Sequence, residues 1–149
     1  MGQAPHQTFR GGEAVQVHRI DHVGIVVRNA SERLRFYSDF LGLKSVHTEE
    51  LPERGIRIYM IEVGESKIEL LEPMNEQSEI NKFLESKGEG IHHIAFNVTG
   101  IDEAVEMAKK NGFQPLSDAP RPGAGGTRVL FLHPKSVGGV LVELVEGHH

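Results

Sequence analysis

Two histidines and two glutamates occupy matched positions in the two halves of this 149-residue sequence: His22, Glu69, His93 and Glu143. Imidazole nitrogens and carboxylate oxygens are ligands for divalent transition-metal ions. A set of two histidines and two carboxylates leaves two positions of an octahedral ion open, which suits Co, Mn, Ni, Fe or Zn holding a bidentate substrate. The spacing therefore predicts one divalent metal ion shared by both halves, acting as a Lewis acid on a carbonyl.

An internal repeat defines the two halves. The first copy reads IDHVGIVV at 20–27 and IELLE at 68–72, and the second reads IHHIAFNV at 91–98 and VELVE at 142–146. The histidine stands third in each first string, and the glutamate stands second in each last string. The alternative is that these are ordinary residues of half-exposed strands preserved by the duplication, but their recurrence at four matched positions favours the metal site.

Period-two alternation predicts where these side chains point. In residues 20–27, His22 shares a face with Gly24 and Val26, and the other face is the one that a helix would cover. Gly24 and its counterpart Ala95 are small enough to leave room beside an imidazole. A carboxylate in the middle of an apolar strand is costly to bury unless it is paired, and a cation would remove that cost. His92 is predicted to face the helix side.

Each half is predicted to fold as a β-α-β-β-β module. The first has strands near 20–27, 44–49, 56–63 and 67–72, with a helix that starts at Asn29 and stops at Gly42. The second has strands near 92–98, 113–117, 127–132 and 140–145, with a helix at 101–110. A connecting helix is predicted near 76–86. Because each module covers only one face of its sheet, two modules side by side form a curved mixed sheet with a shared cleft, an α+β fold.

Length and composition set the remaining bounds. A single domain is expected at 18–146, with module 1 at about 18–75, a connecting helix at 76–87 and module 2 at about 88–146. Residues 1–17 read as a flexible arm, and 147–149 as a purification-tag remnant. There is no cysteine, so thiolate ligands are excluded.

Charge and hydropathy exclude several partners. The net charge of −5 gives no basic footprint for nucleic acid. No apolar run approaches the roughly 20 residues that span a bilayer, so no membrane partner is expected. The N-terminus lacks the regions of a secretory signal, which predicts a cytoplasmic location.

Several of these strings resemble the vicinal oxygen chelate (glyoxalase) superfamily and, within it, the methylmalonyl-CoA epimerase family. The resemblance covers about 18–146 and is most specific in GGTRVLFLHPKSVGGVLVELVE at 125–146. It implies a homodimeric isomerase that inverts the carbon between a thioester and a carboxylate of an acyl-CoA substrate. The metal ligands it implies are His22, Glu69, His93 and Glu143.

The resemblance also implies roles for individual residues. Glu143 corresponds to the residue that serves as both ligand and base. The glutamate that provides a second base in some relatives is replaced here by Ile58, and Glu53, Glu62 or a metal-bound water are open as substitutes. Four residues of the Gly-rich and HPKS loops are predicted to bind substrate: Arg128, His133, Lys135 and Ser136.

Two alternatives stay open at the level of sequence. The first is a lactoylglutathione lyase of the glyoxalase I type, which uses a similar ligand set. Against it stands the HPKSVGG turn at 133–139, where such chains usually carry a DPDG-type turn. The second is a non-catalytic small-molecule-binding module of the same superfamily, whose members often lack the full ligand set.

Overall fold

The computed structural model describes residues 15–147. Eight strands form one mixed sheet: β1 Gln16–Val26, β2 Val46–Leu51, β3 Ile56–Val63, β4 Ser66–Pro73, β5 Gly90–Thr99, β6 Arg121–Pro122, β7 Arg128–Leu132 and β8 Val142–Glu146. The α-helices are α1 Ala30–Leu34, α2 Asn81–Lys87 and α3 Ile101–Lys110. A π-helical segment, Arg35–Phe40, continues α1, and two short 3₁₀ turns, Ala124–Gly126 and Pro134–Val137, flank β7.

The order of the strands shows how the two modules join. The sheet runs β2-β3-β4-β1-β5-β8-β7-β6, so the first strands of the two modules, β1 and β5, pair antiparallel at its centre. Each of them also pairs in parallel with the last strand of its own module, β4 or β8. The four strands that carry the repeated histidines and glutamates are therefore adjacent. This arrangement confirms the predicted α+β fold of two tandem modules in one curved sheet.

Helices α1 and α3 cover one face of the sheet, as period two predicts, whereas α2 packs through Leu84 on the other face, beside Ile58. In module 1, Val27, Ala30, Ile61 and Leu70 form the buried cluster beneath α1. In module 2, α3 buries Ile101, Ala104, Val105 and Ala108 against β5, β7 and β8. The acidic first turn and basic last turn of α3 complement its dipole. Burial of these apolar faces leaves the opposite face of the sheet for the cleft.

The first helix is not a regular α-helix over the whole of its predicted length. It begins as expected, because the Asn29 side chain caps it by accepting from the Glu32 N–H at 3.3 Å. After Leu34 the backbone widens into the π-helical segment, which changes the angular spacing of the side chains. Phe36 and Phe40 therefore stack on each other at the surface, and Phe40 is 78% exposed.

Module 2 lacks the strand predicted near 113–117. Only Pro115 forms an isolated bridge, opposite Leu132, and the outer strand is the two-residue β6. Prolines 115, 120 and 122 carry no N–H to donate to a ladder, so a full edge strand cannot form there.

The predicted termini also shift. Gln16 and Val17, assigned to the flexible arm, pair with Thr99 and Val98 as the start of β1. Gly147, assigned to the tag remnant, accepts a hydrogen bond from the Asn97 side chain through its carbonyl at 2.9 Å. Residues 1–14 and 148–149 lie outside the described part. Within 15–147, no helix is both long and apolar enough to cross a membrane.

Candidate metal centre

Four neighbouring strands bring the predicted ligands to one point on the open face of the sheet. His22 lies on β1, Glu69 on β4, His93 on β5 and Glu143 on β8. In the ladders Gly24 stands opposite both Glu69 and His93, so the two modules meet at this level. All four side chains are buried, with residue exposures between 3% and 6%.

The ligand atoms lie at the spacing that a metal ion requires. His22 Nε2 is 2.9 Å from His93 Nε2, and Glu143 Oε1 is 3.0 Å from each of these nitrogens. Glu69 Oε1 is 3.5 Å from His22 Nε2. Neighbouring ligands of an octahedral ion with bonds of about 2.1 Å are about 3 Å apart. The atoms of His22, His93 and Glu143 therefore fit one divalent ion, and Glu69 lies beside His22 at the edge of that group.

Burial of negative charge also fits a cation at this point. Glu143 Oε1 is buried, and no N–H of the described residues is aligned to donate to it. Burial alone would raise the pKa of Glu143, but the imidazoles of His22 and His93 outweigh that effect and hold it at about 2. The carboxylate is therefore ionised across the neutral range, and a metal ion would supply the partner that Oε1 lacks.

Asp21 fixes the orientation of His22. Its Oδ1 is 2.8 Å from His22 Nδ1, and its Oδ2 accepts from the Asn97 amide at 2.9 Å. With the Nδ1 proton donated to Asp21, the Nε2 lone pair points to the ligand cluster. Burial alone would lower the pKa of His22, but Asp21 and the two glutamates raise it to about 10.

Sequence reasoning missed Asp21 because of a β-bulge. Ile20 pairs with Phe96 and His22 with Ala95, which leaves Asp21 as an extra residue in the ladder. Strict alternation puts neighbouring side chains on opposite faces, whereas a bulge allows two of them to meet. An aspartate directly before a candidate histidine ligand was the only signal in the sequence.

His92 corrects a prediction for the same reason. Gly24 pairs with His93 and Ile25 with Ile91, so His92 is the extra residue of a second bulge. It lines the cleft instead of facing α3, packs edge-on against Phe83, and places Nδ1 2.9 Å from His93 Nδ1. Burial, with the charges of His93 and Arg54, lowers the pKa of His92 to about 4.

Gly24 provides the room beside the imidazole that the sequence predicted. A Cβ at this position would lie 2.2 Å from His93 Cε1 and 2.6 Å from Nδ1. The ring of His93 therefore lies directly on the β1 backbone, and any side chain at residue 24 would displace it.

Apolar side chains and a glycine-rich strap enclose the cluster. On the module 1 side the wall is formed by Leu51, Ile56, Ile58, Leu71 and Ile80. On the module 2 side the strap, residues 121–127, contributes Gly123, Ala124 and Thr127. The Glu49 carboxylate holds the strap across the cleft by accepting from the Gly125 N–H at 3.0 Å. The cavity that remains is about 40 Å³, enough for an ion and its water ligands.

The structure does not bring the four predicted substrate-binding residues into this cleft. Arg128 alternates to the helix side of β7, where its guanidinium binds Asp102. His133 and Ser136 build the turn before β8, where His133 Nδ1 accepts from the Lys135 N–H at 3.1 Å and Ser136 Oγ donates to the His133 carbonyl at 2.8 Å. Lys135 lies in the same turn, outside the cleft lining.

The fold and the site together define a class of protein in which paired modules enclose a buried cluster of histidines and glutamates. Residues 21–131 match the glyoxalase/bleomycin resistance protein/dioxygenase superfamily. The chain belongs to this superfamily.

Several of the similar proteins within the superfamily are epimerases. The human mitochondrial methylmalonyl-CoA epimerase is 40% identical over 95% of this chain and 88% of its own length. The ethylmalonyl-CoA/methylmalonyl-CoA epimerase of Cereibacter sphaeroides is 39% identical over 86% and 97%. A solved Streptomyces coelicolor methylmalonyl-CoA epimerase variant, in complex with 2-nitronate-propionyl-CoA, superposes with a TM-score of 0.82 at 39% identity over 89% and 96%.

Proposed function

We propose that the chain is a metal-dependent epimerase that inverts the α-carbon of methylmalonyl-CoA. The observation that carries this proposal is the convergence of His22, His93, Glu69 and Glu143 in one buried cleft. The epimerases at 39–40% identity, which align over most of the chain, supply the substrate class.

The reaction requires removal and return of an acidic proton. A bound divalent ion would polarise the thioester and carboxylate oxygens of the malonyl unit, which lowers the energy of the enolate. Glu143 would remove the proton, since its carboxylate is ionised and lies at the ligand cluster. Asp21 and His92 would keep the ligand imidazoles oriented. The apolar wall and the strap would exclude water from the enolate.

Neither of the two glutamates considered for the second acid/base group lines the cleft. Ile58 packs in the apolar wall, among Ile56 and Leu71. Glu53 lies in the turn after β2, and Glu62 accepts from Ser45 Oγ; neither lines the cleft. Among the described residues, the ionisable side chains of the lining beyond the four ligands are Arg54 and His92.

Deuterium exchange tests the proposal directly. The metal-loaded protein is incubated with one epimer of methylmalonyl-CoA in deuterated water. The expected result is racemisation with deuterium at the α-carbon, and Glu143→Gln should slow both by about 100-fold or more. Glu62→Gln is the matched control, because Glu62 lies outside the cleft. Absence of both racemisation and exchange in the wild type would refute the proposal.

The same metal-loaded protein also tests the two alternatives, the lactoylglutathione lyase and the non-catalytic binding module. The Salmonella typhimurium lactoylglutathione lyase is 25% identical over 86% of this chain and 92% of its own length. Turnover of the methylglyoxal–glutathione adduct, with no action on methylmalonyl-CoA, would establish the lyase. Binding of an acyl-CoA without turnover of either compound would support the non-catalytic binding module.

The metal, the assembly and the domain bounds remain predictions. Co, Mn, Ni, Fe and Zn all accept a two-histidine, two-carboxylate set, and metal analysis of the purified protein would identify the native ion. Size-exclusion chromatography with light scattering would check the predicted homodimer. Limited proteolysis would check the single domain at 18–146.

A further inference from the structure

A rigid turn places one arginine in the wall of the cleft. Arg54 belongs to the tight turn between β2 and β3, which is closed by hydrogen bonds from the Arg54 and Gly55 N–H groups to the Leu51 and Pro52 carbonyls, both at 3.1 Å. Gly55 has φ +71°, and a Cβ there would lie 2.8 Å from Ser78 Cα. The backbone of Arg54 is therefore fixed against the segment that precedes α2.

The orientation of the Arg54 guanidinium is also fixed. Glu79 Oε1 accepts from Nε at 2.8 Å and lies 2.7 Å from Nη2, so one carboxylate oxygen holds one edge of the planar group. Nη1 makes no hydrogen bond with the described residues. The side chain of Arg54 is 27% exposed and lines the same cavity as the four ligands. One edge of the guanidinium is thus available to a molecule in the cleft.

The charges of the cleft indicate a role for the Arg54 guanidinium. Three carboxylates are buried there, those of Asp21, Glu69 and Glu143. A divalent ion would offset the two glutamates, and Asp21 is paired with His22. Arg54 is the one arginine or lysine in the lining among residues 15–147. A substrate that brought its own carboxylate would therefore need a further cation, and Arg54 is placed to provide it.

We propose that Arg54 binds the carboxylate of the acyl unit, beside the oxygen that the metal ion would polarise, and thereby selects 2-carboxyacyl thioesters over neutral acyl thioesters. The proposal rests on the proposed function and adds a specificity-determining residue to it. A guanidinium binds a carboxylate in a planar, charge-assisted arrangement. Its contribution grows when the acyl unit gains negative charge on loss of the α-proton. A neutral acyl thioester has no group for this contact.

The test compares two ligands that differ only in the carboxylate. Binding of racemic methylmalonyl-CoA and of propionyl-CoA is measured by calorimetry on the metal-loaded protein. The racemate is used because epimerisation then leaves its composition unchanged. In Arg54→Gln, the Kd for methylmalonyl-CoA should rise at least about tenfold, the effect of losing one charge-assisted hydrogen bond. The Kd for propionyl-CoA should change by less than about twofold.

Two further variants separate charge from structure. Arg57→Gln is the matched control, because Arg57 binds Glu50 and Glu72 on the opposite face of the sheet, and both Kd values should stay at the wild-type level. Arg54→Lys keeps a charge but not the planar edge, and should recover only part of the loss. Melting temperature and metal affinity should match the wild type in all three variants.

The results distinguish failure of the proposed role of Arg54 from failure of the proposed function. Equal weakening of both ligands by Arg54→Gln would mean that Arg54 contacts the CoA moiety, and would overturn the proposal. No weakening of either would overturn it as well. If the wild type itself binds methylmalonyl-CoA no better than propionyl-CoA, the proposed function has failed before the variants are considered.

Discussion

Replacement of Asp21 by Asn tests whether the hydrogen bond behind His22 prepares the metal site. Asp21 accepts on both sides, from His22 Nδ1 and from the Asn97 amide. An asparagine has only one acceptor oxygen. If that oxygen turns to Asn97, its NH₂ faces His22 Nδ1 and moves the ring proton to Nε2, where the metal should bind. If it turns to His22, two NH₂ groups oppose each other.

The expected loss follows from the burial of this pair. Asp21 is 1% exposed and His22 is 4% exposed, so water cannot substitute for the lost acceptor. Removal of an outer partner of a metal-ligating histidine typically lowers metal affinity by about 10- to 100-fold. That range corresponds to about 1.4–2.8 kcal/mol of binding free energy. The pKa of His22 should also fall, since Asp21 is the largest of the influences that raise it.

Two measurements check this prediction together. Metal affinity is determined by competition with a chromophoric chelator. The position of the remaining His22 ring proton is read from ¹⁵N chemical shifts of the protein loaded with Zn²⁺, because the metal-free ring, with its pKa of about 10, carries protons on both nitrogens at neutral pH. Asp102→Asn is the matched control, because Asp102 is exposed and paired with Arg128 outside the cleft. Unchanged affinity in Asp21→Asn, with the proton still on Nδ1, would refute the reasoning.

Further predictions concern the metal, pH, packing and the strap. Removal of a metal present at 100 times its Kd should cost about 2.7 kcal/mol and lower the melting temperature by roughly 5–10 °C in calorimetry. Because the raised pKa of His22, about 10, keeps a proton on the metal-free site, metal affinity should rise about tenfold per pH unit from pH 6 to 8 in chelator titrations. Gly24→Ala should displace His93 and lower metal affinity at least about tenfold, whereas Gly90→Ala, which meets open space, should not. Glu49→Ala should raise amide hydrogen exchange of the strap about tenfold, with β5 unchanged.

Alternation and repetition were sufficient to predict that the four candidate ligands share the open face of the sheet. His22, Glu69, His93 and Glu143 all lie on strands whose apolar neighbours define a helix face, so the remaining face was known. Gly24 was predicted to leave room beside an imidazole, but the ring that fills this room belongs to His93 on the neighbouring strand β5, which the register of the two strands determines.

The rest of the site depends on features that alternation cannot describe. Asp21 and His92 reach the ligands through bulges, and a bulge in one strand is defined only by its partner strand. Arg54 reaches the cleft through a turn whose shape depends on distant packing at Ser78. The predicted substrate role of Arg128 rested on resemblance, and the alternation of β7 places its side chain on the helix face.

The bulges also explain how a duplicated sequence can produce a site with two unlike halves. The histidine of module 1 is backed by a carboxylate, Asp21, and the histidine of module 2 by a neutral imidazole, His92. A carboxylate partner makes a ligand imidazole more electron-donating than a neutral partner does. The strap adds a second difference, since it closes the cleft from module 2 and is held by Glu49 of module 1. The duplication therefore repeats the frame of histidines and glutamates but not the hydrogen-bond partners behind it, because the bulged residue before the histidine is Asp21 in one copy and His92 in the other.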